Sequence, residues 1–393
     1  MTGERVTGLR ATTGAGVRAL VTGLGGELGT RVALLPEARP EVEAVSGLDI
    51  EPPRRYLERT DFHRVDPRDR ARNVAIVREF EPTVVVHVGT YEPNARCSPK
   101  AAVERTEAGA IGVLGAAAEC PSLERIVLRA SGADCVRVSS AVDALLVPEI
   151  PTALVWLGRV HADDPIFEDL AQSADRVLLD SEYTSLSSLL HVTAWARAQP
   201  SSPRVADMAW TRLASWHEMV ARMFDEADAM PYLERVTRVS IAQASSAGAR
   251  LGPEPALLLG WLATRLGWKT SRLGGALRLK RPDGTLVSLD LGSVPRPEGV
   301  ADMALARVTL VAEGFEGTVE RELGTGIEGT RDADTLLWRR VLDGKTMEHR
   351  VRLGANKAAK WLERTLHRPA HDPAFDESVA FAEHLVDDGL TVS

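Results

Sequence analysis

Thr22-Gly23-Leu24-Gly25-Gly26-Glu27-Leu28-Gly29 follows an apolar run at 17–21, and Asp49 stands 20 residues beyond Gly29. Strand, glycine turn, helix, strand and acidic residue, in that order and at that spacing, make a dinucleotide-binding βαβ unit. Glycines are required because so tight a turn needs positive φ and because backbone must touch a pyrophosphate. Outward from the octet, strands are expected at 42–48, 62–65, 83–88 and 125–128, and helices at 27–35, 70–80 and 99–119. Thr83-Val84-Val85-Val86-His87-Val88 is a continuous apolar run, the pattern of a strand covered on both faces. Alternation at this rhythm predicts a parallel sheet.

Beyond about residue 131 the composition changes. All three cysteines (Cys97, Cys120 and Cys135) precede residue 136, whereas all eight tryptophans lie at or after Trp156. Helices are expected at 141–146, 167–174, 185–197, 208–224, 254–266, 355–366 and 376–387, and strands at 153–157, 176–179, 304–312 and 336–341. Residues 273–291 alternate apolar and polar around Pro282-Asp283-Gly284, a hairpin signal. The fold class expected is α/β: a Rossmann-like parallel-sheet half, residues 1–131, then an α/β region, 132–200, and an α+β domain, 201–393.

A chain of 393 residues has room for two cores. Net charge −8 argues against a general nucleic-acid-binding surface. No run of 18 apolar residues and no signal peptide is present, so no membrane partner and a cytoplasmic location are expected. Three cysteines without CxxC spacing argue against a zinc site or disulfide framework, and no metal site is expected. His161-Ala162-Asp163-Asp164 reads as a loop and N-cap before Pro165 rather than a metal site. Ser185, Ser187, Ser188 and His191 lack a GxSxG turn, which argues against a hydrolase.

The octet resembles the extended short-chain dehydrogenase/reductase family, the nucleotide-sugar epimerase-like branch. Gly47-Leu48-Asp49, Val65-Asp66-Pro67-Arg68-Asp69, Val85-Val86-His87 and Arg125-Ile126-Val127-Leu128 with Ser131 extend the resemblance over residues 15–131. It implies a cofactor site of Gly23, Gly26, Glu27, Leu28, Gly29, Asp49 and Asp66. NAD fits it, since Asp49 would accept from the adenosine ribose hydroxyls, although Arg54 and Arg55 nearby weaken the preference over NADP. The family's catalytic Tyr, with Lys four residues later, is missing. None of Tyr56, Tyr91, Tyr183 and Tyr232 has Lys at that place, and Gly109 replaces the Asn of the long helix. No catalytic residue is therefore assigned, and no cofactor is required.

Asp207-Met208-Ala209-Trp210-Thr211-Arg212-Leu213-Ala214-Ser215-Trp216 resembles the D-LAWTRL-PW motif of the glucose-6-phosphate dehydrogenase assembly protein family, OpcA. The segments 146–151, 174–181 (Ala-Asp-Arg-Val-Leu-Leu-Asp-Ser) and 258–268 resemble further motifs of that family, in order. This resemblance covers residues 130–393 and places the join near Arg129–Ala133, where epimerase-like strands replace the family's own opening strands. It implies a non-catalytic partner that promotes assembly and activity of glucose-6-phosphate dehydrogenase. The alternatives are an epimerase-like relic and a nucleotide-sensing regulator. Trp210, Arg212 and Trp216 are the candidate partner anchors, because Trp and Arg dominate interface hot spots; packing of the tryptophans in the core is the competing expectation.

Overall fold

The computed structural model describes residues 16–66, 68–89, 98–118, 120–123, 125–128, 152–200, 203–273, 276–297, 300–322, 335–352, 358–369 and 371–386. The join near Arg129–Ala133, the helix expected at 141–146 and Tyr91 lie outside these residues. The chain divides into two units, Met1–Pro151 and Thr152–Ser393.

In the first unit, β1 (Val17–Thr22), α1 (Glu27–Glu37), β2 (Val42–Asp49), β3 (Thr60–Arg64), α2 (Arg70–Phe80), β4 (Val84–His87), α3 (Pro99–Ala118) and β5 (Arg125–Leu128) alternate as expected. The five strands are all parallel, in the order β3-β2-β1-β4-β5, which is the Rossmann order. Both faces are covered. Leu20, Leu48 and Val85 pack with Ile76 and Val77 of α2 and Val113, Leu114 and Ala117 of α3. Val21 packs with Leu24 and Ala33 of α1 in a separate cluster. Strands buried on two sides must be apolar at successive positions, hence the unbroken runs.

The second unit holds two sheets. The first is parallel, β6 (Ala153–Trp156), β7 (Arg176–Leu179) and β8 (Arg204–Asp207), in chain order, with α4 (Pro165–Gln172) and α5 (Leu186–Ala198) among its connections. Asp164 caps α4 as expected, accepting from the amides of Ile166 and Phe167. Then come α6 (Met208–Arg222), α7 (Met230–Leu233), β9 (Arg238–Ala244), α8 (Pro253–Arg265), β10 (Lys269–Leu273), β11 (Ala276–Lys280), β12 (Leu286–Val294), β13 (Ala304–Ala312), β14 (Phe315–Glu322), β15 (Thr335–Leu342) and β16 (Lys345–Arg352). Helices α9 (Ala358–His367) and α10 (Pro373–Val386) follow. These eight strands form one sheet, β10-β11-β12-β9-β13-β14-β15-β16, antiparallel except for β9 with β12.

The Pro282-Asp283-Gly284 turn joins β11 to β12. Gly284 takes φ 90°, and Asp283 accepts from the Thr285 amide at 2.9 Å. One apolar cluster runs from Phe167 and Leu179 through α6 and α8 to Val308 and Leu385, so both sheets share a core. Among the described residues, no helix is long and apolar enough to cross a membrane.

Candidate functional site

Two polar centres are built at the carboxyl ends of parallel strands, one in each unit. In the first, β1 gives way to Gly23 at φ 77°, whose N–H donates to the Leu48 carbonyl at 3.0 Å and ties the turn to β2. A Cβ on Gly29 would lie 2.0 Å from the Gly23 carbonyl oxygen, so α1 packs on the turn itself. At Gly26 the same addition would meet nothing closer than 3.5 Å. Gly26 caps α1, and the first helical bond runs from the Thr30 amide to the Gly26 carbonyl at 3.0 Å. The amides of Glu27, Leu28 and Gly29 therefore have no acceptor within the helix and sit at its positive end, the arrangement that receives a phosphate.

Asp49 ends β2, 6% exposed, as the spacing predicts. Its carboxylate accepts from the amides of Gly25 (2.8 Å), Ile50 (2.6 Å) and Glu51 (3.3 Å), so it braces the turn from below. Glu27 is answered by Arg31 and Arg55 at 2.8 and 3.3 Å. Asp66 lies beyond β3, on the far side of β2 from β1. Arg68 holds its carboxylate through two guanidinium bonds at 3.0 and 2.7 Å and pulls it below the usual carboxylate range. The structure thus brings Gly23, Gly26, Glu27, Leu28, Gly29 and Asp49 together at the turn, while Asp66 follows Val65, whose amide donates to the Asp49 carbonyl at 3.0 Å, and has its own carboxylate engaged by Arg68.

Beneath the turn, the Thr22 hydroxyl and His87 Nδ1 are 2.6 Å apart. Burial pushes His87 down to about 4, so the ring is neutral. Beside it a cavity large enough for a water is lined by Thr22, Gly23, Asp49, Asn73, His87 and Gly109.

The second centre lies at the ends of β7 and β8. Arg212 of α6 makes a bidentate bond to Asp180 at 2.7 and 3.2 Å. It also reaches Glu182 at 3.1 Å and Glu254, at the start of α8, at 3.5 Å. Glu254 in turn accepts from the Leu305 amide of β13 at 3.0 Å and faces Arg321 of β14 at 3.9 Å. Asp207 accepts from the Ser181 hydroxyl (2.6 Å), the Ser181 amide (3.0 Å) and the Ala209 amide (3.0 Å), capping α6. Burial, with Asp180 close by, pushes Asp207 up to about 6. Burial likewise raises Glu182. Burial alone would lower Arg212, but the Asp180 bonds and the charges of Glu254 and Glu182 outweigh it and raise the guanidinium above its ordinary value.

This geometry corrects the expectation for Trp210, Arg212 and Trp216. The tryptophans are 4% and 2% exposed, inside the core. Trp210 donates its indole N–H to Asp372 at 2.9 Å and packs on Phe375. Arg212 is 14% exposed and committed to carboxylates of its own chain. The amino-terminal turn of α6 is buried at Met208, Ala209, Trp210 and Thr211, with a small cavity beside Asp207, Trp210 and Thr211. Sequence reading missed the acids that answer Arg212. The signal present was Asp180 and Asp207, each standing at the end of an apolar strand.

The two centres define an α/β protein with a dinucleotide-type glycine turn in one unit and a closed, charge-braced α+β core in the other. Residues 104–199 match the family described as glucose-6-phosphate dehydrogenase subunit N-terminal domain, and residues 203–379 match its C-terminal domain. Over these residues the chain belongs to the OpcA family. The first match begins inside α3, so the rest of that helix and β5 of the Rossmann-ordered sheet fall within it.

Proteins named OpcA, of the OxPP cycle, are similar. That of Synechococcus elongatus is 28% identical over 198 residues (48% of this chain, 42% of the relative). That of Nostoc punctiforme is 32% identical over 146 residues (36% and 30%). That of Synechocystis is 23% identical over 279 residues (65% and 54%). The chain thus spans about half, or less, of the length of these relatives. Among solved structures, a 3-ketoreductase from Actinomadura kijaniata in complex with NADP and TDP-benzene aligns over 95% of this chain and 96% of its own, at 11% identity and TM-score 0.36. The enzyme WbmG of Bordetella bronchiseptica, in complex with NAD and UDP, aligns over 38% and 55%, at 17% identity and TM-score 0.30. The fold of the first unit rests on its own strand order, not on likenesses this slight.

Proposed function

We propose that this chain is a non-catalytic cytoplasmic partner of glucose-6-phosphate dehydrogenase that promotes its assembly and activity. The observation that carries the reading is the ordered match of both subunit domains over 104–199 and 203–379. The absence of a Tyr with Lys four residues later supports a protein without hydride-transfer chemistry of its own. Activation would follow by population shift: a partner that binds the active oligomer more tightly than the inactive one stabilises the former. The test is the rate of purified glucose-6-phosphate dehydrogenase from the same source, with and without the chain, beside a pull-down of the two. A higher rate or lower KM with co-elution is expected. Unchanged kinetics and no co-elution would overturn the reading.

A second reading, nucleotide binding by the first unit, is favoured by the bare Gly26 and the unpaired amides of α1. Those residues fit a dinucleotide. Glu27, Leu28 and Gly29 would hold its diphosphate by their amides, while Asp49 keeps the turn in shape. When bound, such a group supplies hydride exchange; in this chain it would serve as a signal.

A further inference from the structure

Arg54 and Arg64 are unlike the other arginines around the turn. Arg31 and Arg55 are both spent on Glu27. Arg54 is anchored by its Nε to the Gly25 carbonyl at 3.2 Å, and its own amide donates to the Thr30 hydroxyl at 3.0 Å. Arg64 is anchored by its Nε to the Ile50 carbonyl at 2.8 Å. Both side chains are exposed, and neither forms an ion pair with a carboxylate among the described residues. In each, the Nε is used for positioning, which leaves the two Nη groups of the fork for a ligand.

The two anchors lie side by side. Gly25 donates to Asp49, and a Cβ on Gly25 would come within 2.5 Å of the Glu51 carbonyl oxygen, so the segments 25 and 49–51 touch. The forks therefore flank the end of β2, where the acidic residue of a dinucleotide fold meets the adenosine ribose. Here that residue is turned inward. Asp49 is buried and accepts from three backbone amides, which leaves it poorly placed to select a free 2′-hydroxyl. The charged groups of this rim are Glu27, Asp49 and Glu51 against Arg31, Arg54, Arg55 and Arg64, a surplus of one positive charge. Planar guanidinium forks with no carboxylate in ion-pair contact suit a phosphate dianion, although Arg54 lies within the field of Glu27.

We propose that the glycine turn takes an adenosine nucleotide carrying a 2′-phosphate, with Arg54 and Arg64 as its phosphate-binding residues. This rests on the nucleotide reading above and reverses the preference for NAD that Asp49 suggests from sequence.

Calorimetric titration of the full chain with AMP, 2′,5′-ADP, NAD and NADP tests it, alongside R54Q/R64Q. Tighter binding of 2′,5′-ADP than AMP, and of NADP than NAD, by about tenfold or more is expected for hydrogen bonds to a charged group. The double variant should bind AMP and NAD as the unaltered chain does and lose the 2′-phosphate preference. Equal or tighter binding of AMP and of NAD, or a preference that survives in R54Q/R64Q, overturns the assignment while leaving nucleotide binding intact. No binding of any of the four by the folded chain overturns the nucleotide reading and this inference together. The double substitution is on exposed side chains, so a circular dichroism spectrum matching that of the unaltered chain establishes that loss of preference is not loss of fold.

Discussion

The glycine turn and the Arg212 cluster occupy equivalent places, each at the carboxyl end of a parallel sheet, yet they dispose of polar groups in opposite ways. At the turn, amides are left without acceptors and two arginine forks without an ion pair, while the one buried carboxylate is folded into backbone. At the cluster the ion pairs close on one another, Arg212 with Asp180, Glu182 and Glu254, and Glu254 with Arg321, while Asp207 is satisfied by the Ser181 hydroxyl and two backbone amides. The same strand-end geometry, which in α/β sheets is where ligands bind, is open in one unit and sealed in the other. Open polarity awaits a ligand, whereas sealed polarity ties elements together.

The cluster should be the harder to disturb without collapse. Arg212→Ala strands Asp180, Glu182 and Glu254 in the interior with one cation fewer, at a cost of about 3–5 kcal/mol. Urea unfolding followed by tryptophan fluorescence reads this directly, since all eight tryptophans lie at or after Trp156. A cost under about 1 kcal/mol, the range of surface ion pairs, would mean that water reaches the cluster and that the contrast between the centres is wrong.

Next in size is Gly29→Ala. Its methyl would fall 2.0 Å from a backbone oxygen and 2.9 Å from the Leu24 Cα, and no rotamer can relieve backbone contacts. A loss of about 1–3 kcal/mol, by overpacking, is expected in the first unit. Protease resistance of the first unit measures it.

Acid should act on the two centres with opposite signs. His87 has its folded value lowered from 6.5 to about 4, so the unfolded chain binds more protons between those limits. Its contribution is present above pH 6.5 and lost as pH falls toward 4. Asp207 is raised from 3.8 to about 6, so there the folded chain binds more protons. Its ionisation weakens the fold as pH climbs from about 4 to about 6, and the effect is constant above. Urea midpoints of H87Q and D207N, each subtracted from those of the unaltered chain at pH 4 to 8, should therefore slope in opposite directions. Parallel slopes would show that one of the two side chains is hydrated.

What was legible in the sequence was local. The octet, its spacing to Asp49 and the apolar run at 83–88 specify one βαβ after another, because each is read within a strand's length. The Pro282-Asp283-Gly284 hairpin and the Asp164 cap were legible for the same reason. Strand order in the large sheet was not, since β9 pairs in parallel with β12 across an intervening helix and hairpin. Nor were the partners of Arg212, which lie 32 residues before it at Asp180 and further on in chain and fold at Glu254. Trp210 and Trp216 misled because hot-spot composition and core composition are alike in tryptophan, and periodicity alone does not reveal that the start of α6 is buried.

The smallest effect on stability should be the most telling for function. Gly26→Ala keeps φ −74° and ψ 158°, which alanine adopts freely, and the added Cβ meets only the Gly23 carbonyl oxygen, at 3.5 Å. Alanine is a poorer cap than glycine, so a loss below about 1 kcal/mol is expected. Nothing in the fold requires the missing side chain here, in contrast with Gly29, where the backbone forbids one. If the bareness of Gly26 serves a ligand's diphosphate, the methyl occupies the approach to the amides of Glu27, Leu28 and Gly29. The rise in melting temperature on adding NADP should then vanish in this variant while the unliganded melting temperature barely moves. A ligand-induced rise that persists would place the nucleotide elsewhere and make the turn, like the Arg212 cluster, a purely structural joint.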